Sequence, residues 1–359
     1  MTSKEKLILL LDDMALSYKT ICFFYENFSY EDLNSNIDKI KNEIIKNVGD
    51  GVFLKLKNAN LDLKLEKIMQ NLQKYDIKPI FYENPEYPNL LKNISNPPMV
   101  LYTKGDISLL NKKSISIVGT RRPTTYGREV TKHFAVNLTK AGLITVSGLA
   151  YGLDMEVALS TLESRGKTIA VLGGGLDKIY PEQNTSLANK IVENGGLLLS
   201  LFPPLRRPTK YSFVDRNRII SALSLGTIIV EAGESSGTLN TANHAIEQGK
   251  ELFVVPGSIF SKSCIGSNRL IQELPETYTS SVEHVLKVLG INYKENNEQK
   301  TTEIIDNSKL ILNLLYEGEK DFDELKEKTN LDSKSLITLL TRMEISGLIK
   351  KLPNNIYSI

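Results

Sequence analysis

Cysteine and histidine are scarce in this chain of 359 residues. The two cysteines, Cys22 and Cys264, lie in different regions and form no CxxC pair, which excludes a disulfide framework and a cysteine-rich metal site. His133, His244 and His284 stand far apart on helix-like segments, a poor basis for a zinc enzyme. No apolar run approaches the roughly 18 residues that a membrane span needs. The amphipathic start, MTSKEKLILLLDDMAL, lacks the small-residue cleavage site of a secretory signal. The chain therefore reads as cytoplasmic, without a membrane partner. An excess of one charge is missing too: 44 Lys and Arg against 42 Asp and Glu leave a net +2. A nucleic-acid binder with that balance must gather its basic residues locally. What is present, 41% hydrophobic and 24% charged residues, is the mixture of folded domains rather than of disorder or fibrous repeats. The length predicts two or three domains.

The first 75 or so residues carry helical periodicity, with Leu7, Leu10, Leu11 and Met14 as one stripe and Leu61, Leu63, Leu65, Ile68 and Leu72 as another. A helical bundle of this size can bind DNA or cap a neighbour. The proline-studded stretch 84–106 is expected to be extended and packed on the segment after it. From about 113 to 290, short apolar runs alternate with helical segments. Strands are predicted at 114–118, 143–147, 168–172, 197–200, 226–231 and 251–256, and helices at 126–140, 153–164, 184–194 and 238–248. Continuous β-branched runs separated by helices specify an α/β fold, a Rossmann-like parallel sheet covered on both faces. The polar stretch 292–303 reads as a linker. Beyond it, Leu310, Leu312, Leu314 and Leu315 mark a helix, Phe322 and Leu325 a second, and residues 336–345 a third. A hairpin turning near Asn354 and Asn355 closes the chain, which makes a winged helix. The expected domains are thus 1–80, 81–290 and 304–359, with 291–303 as linker.

In such a sheet, ligands bind beyond the carboxyl ends of the strands. Those ends carry GTRRPTTYG (119–127), SGLAYGLD (147–154), GGGLDKIYP (173–181) and EAGESSGTLNTA (231–242). Glycine lets backbone N–H groups approach a ligand, and helix N-termini add partial positive charge, so the four loops together suggest an anion-binding rim. The plain alternative is that these glycines only make tight turns. Neither GxGxxG nor a P-loop is fulfilled, and no cofactor is expected. The segment LRRPTKYSFVDRNR (205–218) sets Arg206, Arg207, Lys210, Arg216 and Arg218 against Asp215 alone, with Tyr211 and Phe213 interleaved. Cations for phosphates and aromatics for exposed bases are the recipe for a single strand. A solvated charged loop with Tyr211 and Phe213 in the core is the alternative. Asp154, Asp177 and Glu231 near the loop mouths are expected to cap helices or orient arginines rather than to catalyse.

The series SIVGTRRPTTYG, VSGLAYGLD, TIAVLGGGLDKIYP, FVDRNRIISALS, IIVEAGESSGTLNTA and VVPGS…GSNRLI resembles, in order and spacing over roughly residues 85–275, the DNA-processing protein A (DprA, or Smf) family. The helical start, SAM-like or helix-hairpin-helix-like, and the winged-helix tail fit a common layout of that family. The resemblance implies a homodimeric single-stranded-DNA-binding protein, not an enzyme, that protects incoming DNA in natural transformation and promotes loading of the RecA recombinase. It implies a DNA pocket that includes Arg121 with adjacent Arg122, Lys210 and Phe213, the Arg216–Asn217–Arg218 element and the Ser236–Gly237–Thr238 loop; Arg121, Lys210, Arg216 and Arg218 are expected to neutralise phosphates. A base would meet Phe213. Backbone groups around Gly119–Thr120, Ser147–Gly148–Leu149, Gly173–Gly174–Gly175 and Ser235–Ser236–Gly237–Thr238 would complete the site. Tyr151 and Val157 depart from the family's usual arginine and histidine at those places.

Two other function classes compete. Phosphoribohydrolases acting on nucleoside monophosphates use a similar PGGxGTxxE loop, but the position of their glutamate is Thr241 here. A transcription regulator would read duplex DNA with residues 332–347. There Lys334 and Arg342 are balanced by Asp332 and Glu344, whereas groove readers present surplus cations. The winged helix is therefore expected to serve protein contacts or an auxiliary role.

Overall fold

Helix-capping residues divide the start of the chain into α1 (Ser3–Asp13), α2 (Tyr18–Asn27), α3 (Tyr30–Asn36), α4 (Lys41–Val48), α5 (Asp50–Lys57) and α6 (Leu61–Lys74). In this computed structural model, residues 1–292, 297–352 and 355–359 are described, with the backbone alone for 297–306 and 345. The Thr2 hydroxyl accepts the Glu5 amide and the Glu5 carboxylate accepts the Thr2 amide, a reciprocal cap on α1. Leu7, Leu10, Leu11 and Met14 are buried, as are Leu61, Ile68 and Leu72, whereas Leu63 of the second stripe faces outward.

The chain continues through β1 (Lys78–Phe81), α7 (Asn89–Lys92), β2 (Val100–Gly105), β3 (Ser114–Val118), α8 (Thr125–Lys140), β4 (Ile144–Ser147) and α9 (Leu153–Glu163). There follow β5 (Thr168–Leu172), α10 (Thr185–Glu193), β6 (Leu197–Ser200), α11 (Lys210–Ala222), β7 (Gly226–Ile229), α12 (Gly237–Glu247), β8 (Glu251–Val254), α13 (Ile265–Glu273) and α14 (Val282–Val288). All six predicted strands are present, in one eight-stranded sheet of order β1-β2-β6-β5-β4-β3-β7-β8. From β6 to β8 every pairing is parallel. The proline-studded lead-in adds an antiparallel edge, with β2 on β6 and β1 on β2.

Successive residues of each strand point to opposite faces, and the two faces feed separate cores. Tyr102, Ala170, Leu172 and Leu198 pack with Leu7, Leu11 and Phe24 of the first helices. Leu101, Ile169, Val171 and Leu199 pack with Ile219, Ala222 and Ala242 of α11 and α12. The helical start therefore shares the cover of one face with α9 and α10, which add Ala158, Ala188 and Ile191 to that core, and β1 runs through residue 80, where the sequence suggests a boundary. Residues Met1–Ile291 form one compact unit.

Asn292–Ile359 is a second unit, comprising α15 (Asn297–Tyr316), β9 (Lys320–Asp321), α16 (Phe322–Thr329), α17 (Ser333–Ile345), β10 (Lys350–Leu352) and β11 (Ile356–Ser358). Its strands pair in the order β10-β11-β9. Ile311 and Leu315, rather than the exposed Leu310, join Leu325, Leu336, Leu340, Met343 and Tyr357 in its core. The expected linker is corrected in part. From Asn297 the chain is already helical, while 293–296 lie outside the described residues, as does Asn354 of the expected turn. Asn355 has the left-handed φ of 58°. Among the described residues, no helix is long and apolar enough to cross a membrane.

Candidate nucleic-acid interface

The strand order reverses at β3. From it the chain steps one way through β4, β5 and β6, then returns on the other side with β7 and β8. Chain connections diverge from such a point, so a crevice opens between the loops after β3 and β7. Here it is a cleft of about 980 Å³. Gly119, Thr120, Arg121 and Arg122 line one wall, Ser235, Ser236, Gly237 and Thr238 another, and Lys210, Phe213, Arg216 and Asn217 of α11 a third. Segments far apart in the chain thus meet in one place.

The loops are held by close packing. Leu153 donates its amide to the Thr120 carbonyl at 3.2 Å. At Gly152, with φ of 79°, a side chain would stand 2.4 Å from that same carbonyl, so only glycine permits the approach. Ser236 caps α12 through its hydroxyl, which accepts the Thr238 amide at 3.2 Å. Among the described residues, Arg121, Arg122, Lys210 and Lys262 have no carboxylate within ion-pair distance. All four line the cleft and are exposed. Lining cations number five with Arg216, against the two acids Asp154 and Glu234. A protein of net charge +2 therefore concentrates positive potential here. Lys262, Asn240 and Thr241 belong to the cleft although sequence reasoning did not select them for it. The KS pair inside PGSIFSKSC was the available signal for Lys262.

The segment 205–218 is neither extended nor a loop beyond Thr209. The Thr209 hydroxyl accepts the Ser212 amide at 3.1 Å, and the Ser212 hydroxyl lies 2.8 Å from the Thr209 amide, a reciprocal cap that starts α11. Phe213 is half-buried on the cleft floor, with the Arg121 guanidinium 5.4 Å from its ring centroid and that of Arg216 5.9 Å away. Tyr180 meets it at 5.7 Å in a tilted arrangement. A side chain at Gly173 would strike the Phe213 ring at 2.7 Å. That glycine leaves room for the aromatic.

Several expected contacts are corrected. Arg216 is only 3% exposed. Its Nη1 donates to the carbonyls of Gly148 and Val171 at 2.6 Å each, so it braces the sheet end. Burial lowers its pKa to about 10, and the neighbouring Asp154 opposes the shift, so it stays charged at neutral pH. Burial likewise raises the Asp154 pKa, with Arg216 first among the groups opposing the rise, followed by the Ala150 amide. Ser147, Gly148 and Leu149 are buried behind this pair and do not line the cleft. Gly173, Gly174 and Gly175 are buried as well, and the Gly175 amide already donates to the Arg206 carbonyl at 2.8 Å. They serve packing, the plain alternative. Arg218 turns to the opposite flank of α11, pairing with Asp215 at 2.6 Å and donating to the Asn96 carbonyl at 3.1 Å. Tyr151 also stays out of the cleft, its hydroxyl 2.5 Å from Gln183 Oε1, and Val157 is fully buried.

The acids near the loop mouths are engaged structurally. Glu231 accepts the Thr124 amide at 3.0 Å and its hydroxyl at 2.5 Å, which fixes the start of α8. Asp177 accepts the Leu205 amide and pairs with Arg207. Thr241, where a phosphoribohydrolase would need its glutamate, is 2% exposed.

A doubly wound α/β sheet with a cationic, aromatic-floored crevice at its switch point defines the class. The particular family emerges from comparison: the chain belongs to the DNA recombination-mediator protein A family, whose model matches residues 78–290. It is 43% identical over 211 residues to the DNA processing protein DprA of Bacillus subtilis, covering 58% of this chain and 71% of that one. Against Protein Smf of Escherichia coli it is 39% identical over 187 residues, covering 52% of this chain and 50% of the relative. Among solved structures, DprA from Streptococcus pneumoniae superposes with a TM-score of 0.62 at 29% identity, over 82% of this chain and 99% of that one. DNA processing protein A from Helicobacter pylori, described for its single-stranded DNA binding mode, gives 0.55 at 32% identity, over 61% and 99%. Membership places the chain among the DNA recombination-mediator proteins.

Proposed function

We propose that the switch-point cleft binds single-stranded DNA, and that the protein acts in the cytoplasm as a recombination mediator that protects incoming strands during natural transformation and passes them to the RecA recombinase. One observation carries the reading: four cations, without acidic partners among the described residues, converge with Phe213 in a single open cleft. Phosphates would meet Arg121, Arg122, Lys210 and Lys262, and Ser236 and Thr238 would add hydrogen bonds. An unstacked base would meet Phe213, a contact worth roughly 1–3 kcal/mol. The arrangement offers no comb of base-reading groups, so sequence preference should be slight. The H. pylori relative's description as a strand binder supports the same reading. A homodimer would carry two clefts and gain avidity on a long strand.

The test is a salt-series titration of a single-stranded oligonucleotide against wild type and the Arg121→Ala/Lys210→Ala double variant. Affinity should fall and the log–log salt slope should flatten by about 1.4, two phosphates at roughly 0.7 each. Unchanged affinity would remove the cleft from the binding path.

A further inference from the structure

Helix α11 has a second cleft on its other flank. At about 100° per residue, Lys210, Phe213 and Asn217 fall on the side of the switch-point cleft. Tyr211, Asp215 and Arg218 fall on the opposite side and line a cavity of about 410 Å³. Val214, 45% exposed, stands on the crest between them.

Folding does not account for two features of this second cleft. Tyr211 is 87% exposed, and among the described residues its hydroxyl has no protein partner. Three guanidinium groups, Arg206, Arg207 and Arg218, also line the cavity. Each is fixed by one or a few contacts: Arg206 on the Asp13 carbonyl, Arg207 on Asp177, Arg218 on Asp215. A guanidinium has five N–H donors, so each is held in place with donors to spare. Asp12 and Asp215 also line the cavity, leaving three cations against two acids. A planar ring beside fixed, incompletely used guanidinium groups matches a nucleotide: base on the ring, phosphate on the forks.

We propose that the strand in the switch-point cleft continues over α11 between Lys210 and Tyr211 and seats a further nucleotide in this second cleft, its base on Tyr211 and its phosphate against Arg207 and Arg218. The inference rests on the strand-binding reading of the first cleft. It makes α11 a saddle, with one nucleotide site on each flank.

A free mononucleotide presents the same chemistry, so the experiment separates the two sources. Full-length wild type, Tyr211→Ala, Tyr211→Phe and the Arg121→Ala/Lys210→Ala double variant are titrated with oligothymidylates of about six and about twenty nucleotides, and with thymidine monophosphate. Tyr211→Ala should weaken binding of the long oligonucleotide roughly 5- to 20-fold and that of the short one by less than about twofold. Tyr211→Phe, which keeps the ring, should restore wild-type affinity. If Tyr211→Ala binds the long oligonucleotide like wild type while the double variant does not, the continuation over α11 is wrong and the first cleft stands. If the double variant also binds like wild type, both readings fall. If thymidine monophosphate alone binds in a Tyr211-dependent way with no effect on the long oligonucleotide, the second cleft is an independent nucleotide site and the proposal is overturned.

Discussion

Arg216 shows how one residue can be basic, part of a cleft and yet not a free phosphate ligand. Its guanidinium is committed to two backbone carbonyls and stands beside the buried Asp154. It lies 5.9 Å from the centroid of the Phe213 ring, and Arg121 approaches the same ring at 5.4 Å. Asp12 is a titratable group with a measurable signature. Tyr102 donates its hydroxyl to this carboxylate at 2.7 Å, and Arg206 lies close. Burial outweighs both, and its pKa is raised from the ordinary 3.8 to about 7. The folded state therefore holds a proton that the unfolded state has released between about pH 4 and 7, and stability falls as pH rises through that window. Asp12→Asn lacks this titration. Its stability relative to wild type should rise from pH 5 to pH 8, read as the difference in urea midpoint at the two pH values. An unchanged difference would remove Asp12 from the pH response. The sequence displays Arg121, Lys210 and Phe213 as site candidates because each is flanked by turn or charge signals. It cannot display the burial of Arg216 or the outward turn of Arg218, two residues apart in one motif. That difference arises only when α11 meets the sheet.

At the scale of elements, the strands and most helices between β3 and β8 are legible because apolar runs and helical segments alternate cleanly. Helix α11 is not. Its inward face carries Ser212, Arg216 and Ile219, so a charged residue interrupts the apolar stripe on which a helix assignment depends. The signal that remained was the Thr209–Ser212 cap. Removing it is a direct test of how far this one helix carries the cleft. Thr209→Ala loses the side-chain acceptor for the Ser212 amide, which should cost about 1 kcal/mol of stability. Because Lys210 and Phe213 lie in the first turn, strand affinity should also fall in an oligonucleotide titration. Lost stability with unaltered affinity would mean that the cleft tolerates fraying of this end. The glycine loops were harder to interpret. A tight turn and a ligand-facing turn have the same composition, and only tertiary packing assigns Gly173–Gly175 to the first kind and Ser236–Thr238 to the cleft.

For the whole molecule, the separation of cores makes a sharper statement than the domain pattern in the sequence. Helices α1–α6 share one face of the sheet with α9 and α10, packing on it through Leu7, Leu11 and Phe24, so the helical start belongs to the stability of the binding unit. Cutting it away would expose Tyr102, Ala170, Leu172 and Leu198. The second unit has its own core, built on Ile311, Leu325, Leu336 and Leu340. Every residue of both proposed nucleotide sites lies in the first unit. The charge of α17 gives no reason to assign it a duplex: Lys334 and Arg342 are offset by Asp332 and Glu344. A chain ending at residue 291 should therefore bind a long single-stranded oligonucleotide within about tenfold of the full-length affinity, with a similar salt slope. A larger loss, or a slope flattened by more than about one phosphate's worth, would mean that the second unit adds its own contacts to the strand. Its expected role as a site for protein contacts would then have to be abandoned.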